Sequence, residues 1–369
     1  MFVKVFIKSP GRVNLIGEHT DYNGGYVLPC AINLSVNLYF ENCSEKSNVT
    51  SDLGYSMIFN TSEKYQKSQK HWENYVLGVV NELKHIKKTI NNFKCNITSS
   101  LPSGAGISSS SALVCGLIKG ISILNNIELD NSEIISLSRN VEHKYIGVLG
   151  GIMDQYTILN AKKNKAILLN CDNLERKFIK LNLKDYELLL LDTNIKHNLA
   201  NTEYNSRVDE CKQALEIINK VVDANYSNLS KVSIDDITKS KNALKNKIYR
   251  RALFVFKENE RTIKSAEHLE KNNLNQFGRL MYESHNGLKN NYEVSCKELD
   301  FLVEYTKQYD SILGARMMGG GFGGCTINLI NKKFTKKFIR LIKKQYKLNY
   351  KLDLGVIIAK PQKGLEIIK

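Results

Sequence analysis

No stretch of this sequence approaches the ~18 consecutive apolar residues that a membrane-spanning helix requires, and the opening MFVKVFIK lacks the long apolar core of a secretory signal. The chain is therefore expected in the cytosol, as a cytoplasmic protein. It also lacks any C-x-x-C pair. Cys30, Cys43, Cys95, Cys115, Cys171, Cys211, Cys296 and Cys325 stand far apart, which argues against a zinc ribbon or a compact disulfide framework and leaves buried free thiols as the reading. Internal repeats are absent. Gly-Lys-Ser and Gly-Lys-Thr occur nowhere, so there is no P-loop, and the H-R-D and D-F-G pieces of protein kinases are missing as well. Acidic residues are in deficit, with 37 Asp and Glu against 53 Lys and Arg, a net charge of +16. That balance suits an anionic partner without choosing among a nucleotide, a nucleic acid and an acidic membrane.

What is present is a globular composition of 42% apolar and 24% charged residues spread over 369 positions, more than one ordinary core accommodates, so two domains are expected. The most basic stretch, residues 332–351, places Phe334, Phe338, Leu341, Ile342 and Tyr346 at helical spacing with lysines between them. It reads as a helix with a solvated lysine face, because no interleaved aromatics offer bases a stacking surface. The first half reads as β-rich, with strands near residues 3–7, 26–40 and 93–97, followed by a Gly/Ser loop and an apolar helical run over 107–124. The second half carries helices near 204–221, 248–269 and 274–288, then strands near 311–317 and 325–330. A composition shift across 170–184 marks the expected boundary, giving domains of 1–175 and 176–369.

Three segments carry chemistry. In Leu101-Pro-Ser-Gly-Ala-Gly-Ile-Ser-Ser-Ser-Ser-Ala112, Gly104 and Gly106 allow close backbone approach, and the serines place hydroxyls and free N–H groups at a helix start, where the macrodipole favours phosphate. The third glycine of the dinucleotide fingerprint is missing, so the pattern reads as an anion cradle or, more plainly, a Ser-rich helix cap. Nearer the start, Ser9-Pro-Gly-Arg-Val-Asn-Leu-Ile-Gly-Glu-His-Thr-Asp-Tyr-Asn23 crowds Arg12, Glu18, His19 and Asp21 around two glycines. Helices do not tolerate that spacing well, so these groups are expected on a loop that hydrogen-bonds the hydroxyls of a polyol. In Gly150-Gly-Ile-Met-Asp-Gln155, preceded by Glu142, Asp154 reads as a buried carboxylate near a reacting hydroxyl, with a turn aspartate as the alternative. The run Met317-Met-Gly-Gly-Gly-Phe-Gly-Gly-Cys325 is expected to pack closely against another backbone in preference to touching ligand.

In this order the three segments resemble the motifs of the GHMP small-molecule kinases, and GRVNLIGEHTDYN is similar to the galactokinase signature. Further likeness lies in Trp72-Glu-Asn-Tyr-Val-Leu-Gly, in Asp192-Thr-Asn-Ile-Lys-His-Asn-Leu-Ala followed by Glu203-Tyr-Asn-Ser-Arg-Val-Asp-Glu-Cys211, and in Arg250 to Arg261, so nearly the whole chain is covered. The resemblance implies a two-domain α+β fold with ATP and galactose in the cleft between domains, and Mg²⁺ as cofactor. It implies Arg12 beside the transferred phosphoryl and Asp154 facing the anomeric hydroxyl. Glu18, His19, Asp21, Gly151 and Tyr204 would contact the sugar. Gly104, Ala105, Gly106, Ile107, Ser108, Ser109 and Ser110 would bind ATP, and Ser110 with Glu142 would hold the metal. Ile107 and Ser111 depart from the family's usual Leu and Ala without, on this reading, touching a residue of the chemistry. The implied activity is formation of galactose 1-phosphate by a monomer that engages no nucleic acid and no membrane. A kinase for N-acetylgalactosamine or another galactose-like sugar, and a sensor that binds galactose and ATP without turnover, are the alternatives.

Overall fold

A computed structural model describes residues 4–102, 104–195 and 200–368. Ser103 of the Gly/Ser segment, residues 196–199 of a family-like segment, and the first three positions lie outside the described residues. In chain order the elements are β1 (Lys4–Asn14), β2 (Tyr26–Val27), β3 (Pro29–Asn42), β4 (Ser47–Ser51), β5 (Ser56–Phe59), α1 (Glu73–Ile86), β6 (Phe93–Ser99), α2 (Ser109–Leu124), α3 (Asn131–Val141) and α4 (Met153–Asn160). There follow β7 (Lys165–Asn170), β8 (Arg176–Lys180), β9 (Tyr186–Asp192), α5 (Ala200–Val222), α6 (Ile234–Lys239), α7 (Asn246–Glu270), α8 (Leu274–Gly287) and α9 (Lys297–Thr306). The chain ends through β10 (Ile312–Met317), β11 (Cys325–Asn331), α10 (Lys332–Tyr350), β12 (Gly355–Ala359), β13 (Pro361–Gln362) and β14 (Glu366–Ile368).

Among the described residues the strands form three sheets. The largest runs β14-β1-β3-β6-β4-β5 with β13 added to β3, a second runs β10-β11-β9-β12, and a small one runs β2-β7-β8. The last strands of the chain thus return to the sheet built by its first. In β6, buried and exposed residues alternate, the signature of a sheet with one covered face. That cover is α2, whose Gly120 lies so close to Phe40 of β3 that a Cβ there would stand 2.1 Å from the ring. One apolar cluster joins α1, α2 and the first sheet to Leu188, Leu190, Ile327 and Leu329 of the second and to Phe277 and Met281 of α8, so the two halves pack against a continuous core. The fold is the expected α+β arrangement.

Helix α10 buries Phe338, Ile342 and Tyr346 and leaves its lysines at the surface, as the spacing predicts. Two differences bear on the site. Arg12 is on β1 and not on a loop, because the strand continues past a register shift between Pro10 and Arg12. Gly11 makes this possible, since a Cβ there would meet the Ile107 carbonyl at 2.8 Å. The sequence reading also does not anticipate α1 or α3, although α3 begins with a reciprocal cap between Asp130 and Glu133, whose D-x-x-E spacing was visible. All eight cysteines are free, and Cys30, Cys95, Cys115, Cys211 and Cys325 are buried. Among the described residues, no helix is long and apolar enough to cross a membrane.

Candidate active site

The end of β1, the turn after it, the start of α2, the approach to α4 and the loop between β10 and β11 converge on a cavity of about 430 Å³. Gly104 and Gly106 take positive φ, and Ser108, the residue before α2, is held at φ 59 although it is not glycine. Ser108 makes no side-chain cap on α2. Its side chain therefore leaves the N–H groups of Ser110 and Ser111 uncapped, at the positive end of a helix dipole. The cradle is fixed to β1 by the Arg12 N–H, which donates to the Ile107 carbonyl at 3.1 Å. Ala105 and Ile107 are buried beneath it.

Instead of capping its helix, the Ser108 hydroxyl donates to Oδ2 of Asp154. Oδ1 of the same carboxylate accepts from Arg12 Nε at 2.7 Å, and Arg12 Nη1 donates to the Gly106 carbonyl at 2.7 Å. Arg12, almost fully buried, thus ties the cradle to Asp154, which sits in the first turn of α4. A cation, a carboxylate and the Gly/Ser turn before α2 meet at one point, a pairing the sequence spread over 142 positions.

The opposite wall holds the expected polyol residues in unequal roles. Asp21 lies against Gly151, where a Cβ would come within 2.3 Å of its Oδ2, so only glycine fits. Glu18 is spoken for on one side: its Oε1 accepts from Arg316 Nη2 at 3.0 Å and from the Gly319 N–H at 2.9 Å. Both ring nitrogens of His19 already have partners, the Tyr22 hydroxyl at 2.8 Å and the Gly320 carbonyl at 3.2 Å. The carbonyl only accepts, so Nε2 carries the proton and Nδ1 receives that of Tyr22. Burial lowers His19 to about 3, so it is neutral at physiological pH. Tyr204 packs across His19 and Tyr22, with ring centroids at 5.3 and 5.5 Å.

Glu142 opens a π-helical turn, Glu142–Ile146, and burial raises its carboxyl to about 7. Its two oxygens accept from Ser111 Oγ at 2.6 Å and from Gln155 Nε2 at 2.7 Å. This corrects the sequence reading of Ser111, which does touch a residue expected to take part in the chemistry. Ser110, one position earlier, borders the cavity half-buried. Gln155 Oε1 is buried at the cavity wall, with no hydrogen-bond partner among the described residues.

Comparison with known proteins gives the same order of motifs. Residues 3–40 match the galactokinase galactose-binding signature, residues 74–162 the GHMP kinases N terminal domain and residues 265–347 the GHMP kinases C terminal. A galactokinase of Thermotoga neapolitana is 38% identical over 354 residues, covering 94% of this chain and 95% of that protein. One of Clostridium acetobutylicum is 38% identical over 364 residues, covering 95% and 91%. The crystal structure of Lactococcus lactis galactokinase complexed with galactose aligns with a TM-score of 0.93 at 32% identity, over 98% of this chain and 95% of that one. The chain belongs to the galactokinase family. A mevalonate kinase at 23% identity and TM-score 0.68 shares the GHMP kinase fold across 97% of this chain and 99% of its own.

Against that family background, the sequence reading missed the wall supplied by Gly319, Gly320 and Gly321. It expected this loop to pack on backbone, which it does: a Cβ on Gly106 would lie 3.3 Å from the Met318 carbonyl. The same closeness brings the loop into the cavity. Tyr22 and Arg316 were also missed. Tyr22 was detectable only as a neighbour of Asp21, and Arg316, fully buried, also donates to the Leu15 carbonyl from a position 301 residues away.

Asp21 shows what such a site costs the free protein. Burial first, then the nearby Asp154 and Glu18, raise its carboxyl from 3.8 to about 6, with Arg12 acting the other way. The native state then holds this proton more tightly than the unfolded chain, so its stability falls as pH rises from about 4 to about 6, and the loss persists above that range. Asp21→Asn should therefore stabilise the free protein at pH 8, by up to about 3 kcal/mol, with the gain shrinking as pH falls through 6 toward 4. Thermal unfolding of both proteins across this range checks it. A variant less stable at pH 8, or a gain independent of pH, contradicts the assignment.

Proposed function

We propose that this chain transfers the terminal phosphoryl group of ATP to the anomeric hydroxyl of galactose, giving galactose 1-phosphate and ADP. The observation that carries the reading is Asp154, held by Arg12 and Ser108 between an uncapped helix start and a wall of polar side chains. Phosphoryl transfer needs a positioned hydroxyl and cationic stabilisation far more than covalent chemistry. In this reading Asp154 orients the anomeric hydroxyl and takes its proton, while Arg12 offsets charge on the phosphoryl in transit. Gly104 to Ser110 hold the phosphates. Asp21, Glu18 and Tyr204 line the sugar side with Gly151, and His19 braces that side through Tyr22 and Gly320.

Magnesium fits the residues present. Among the described residues no group of three or more His, Cys, Asp or Glu could hold a metal. Mg²⁺ asks for few protein oxygens and takes the rest of its shell from phosphates and water. Ser110 and Glu142 would hold it, and the unpartnered Gln155 Oε1 offers one more acceptor beside them. When bound, the ion would neutralise phosphate charge. The two domains of this reading divide near residue 175, and the enzyme acts as a cytosolic monomer. The free cysteines support that compartment.

The test is ADP release across a sugar panel. Galactose should exceed glucose in kcat/KM by roughly tenfold or more, because the wrong epimer leaves buried polar groups unpaired. Comparable turnover of both sugars would reject the sugar assignment, preference for N-acetylgalactosamine would select the related kinase, and galactose binding without ADP release would select the sensor.

A further inference from the structure

The segment 147–151 joins the turn that bears Glu142 to the helix that bears Asp154; the Gly147 and Val148 N–H groups donate to the Glu142 carbonyl at 2.8 and 3.1 Å, and among the described residues the segment pairs with no strand. Gly147 closes the π-helical turn at φ 83. Beyond it, Asn205 of α5 serves as a substitute strand: its Oδ1 accepts the Leu149 N–H at 3.1 Å and its Nδ2 donates to the Gly147 carbonyl at 2.9 Å. From the other side, His143 Nε2 stands 3.0 Å from the Gly150 carbonyl. The segment ends at Gly151, pressed against Asp21.

Tyr204 precedes Asn205 on the same helix. Its ring forms a wall of the cavity beside His19, and its hydroxyl lies 4.0 Å from where a Cβ on Gly150 would be. Adjacent residues of α5 therefore meet the site differently, one facing the cavity and the next stitching the loop across from it. Asn205 itself does not line that cavity. Its half-buried side chain borders a separate, open cavity of about 690 Å³, so trimming it removes hydrogen bonds without emptying a packed core.

We infer that Asn205 is a positioning residue for the sugar side of the site. It sets the distance between the Tyr204 wall and the 147–151 segment, and through that segment the placement of Gly151 and Asp154, without touching substrate. The inference rests on the reading of this cavity as the galactose site. That reading stands or falls with the parent enzyme's own activity on galactose, which is measured first.

The experiment compares the parent with Asn205→Ala and Asn205→Asp, measuring KM for galactose, KM for ATP, kcat, calorimetric galactose binding without nucleotide, and thermal unfolding. With both hydrogen bonds gone, Asn205→Ala should raise KM for galactose and weaken galactose binding by about tenfold, leaving KM for ATP within about twofold. Asn205→Asp keeps the acceptor for Leu149 but sets a carboxylate oxygen against the Gly147 carbonyl, and should raise the same constant as well. Parent-like galactose binding in either variant would overturn the inference. So would parallel losses for galactose and ATP that track a fall in unfolding temperature, since that is the pattern of a merely structural residue. Should Asn205→Ala fail to fold, Asn205→Asp decides the question by the same criteria.

Discussion

Asp154→Asn should lower transfer from ATP to bound galactose by about 10²- to 10⁴-fold while leaving galactose binding within a few-fold of the parent. The geometry makes the substitution clean. The amide oxygen it introduces can still accept from Arg12 Nε, and the amide nitrogen would face the Ser108 hydroxyl, which can rotate from donor to acceptor. Shape and hydrogen-bond count are kept, and the negative charge and the basic oxygen are lost. Whether the carboxylate takes the proton early or orients the hydroxyl for a late transfer through a loose transition state, both roles need that oxygen. Single-turnover kinetics beside calorimetric galactose binding separates chemistry from affinity. Intact binding with rates close to the parent's would end the claim that Asp154 takes part in the chemistry.

Arg12→Ala should be at least as damaging, with a loss of about 10³-fold or more in single-turnover rate, because on the proposed mechanism it removes the cation beside the phosphoryl and the partner of Asp154 together. It also frees the Gly106 carbonyl, so the phosphate loop should loosen and MgADP should protect the variant less against heat. Arg12→Lys keeps the charge. It cannot reach Asp154 and Gly106 at once with the planar fork that Arg12 uses, so its activity should fall between those of the alanine variant and the parent. Equal rates for the lysine and alanine variants would mean that geometry alone matters at this position, and parent-like rates in both would remove Arg12 from the mechanism.

Much of this site could be read from the chain because its parts are local. Glycines at 104 and 106 announced the positive-φ turn before α2, and Glu18, His19 and Asp21 lay within one short segment. What escaped was long-range. Nothing near Arg316 indicates that its guanidinium reaches Glu18, and nothing near Asn205 indicates a loop some 58 positions away. Arg12 was expected on a loop because glycine-rich segments usually make one, yet tertiary pairing with β3 and the Ile107 carbonyl kept it in a strand. The contact of Ser111 with Glu142 is not legible in the sequence, because helix position alone does not say which face of α2 meets Glu142. Fold legibility followed the same rule: α10, with its clear periodicity, was found, and α3, short and polar, was not.

The most direct test of the central claim is nuclear magnetic resonance of the product formed from galactose and MgATP by the purified protein. The expected product is one new phosphate monoester whose phosphorus couples to the anomeric proton, formed in step with ADP and absent without enzyme. A phosphate on any other sugar carbon, or ADP formed while galactose remains unmodified, would contradict it.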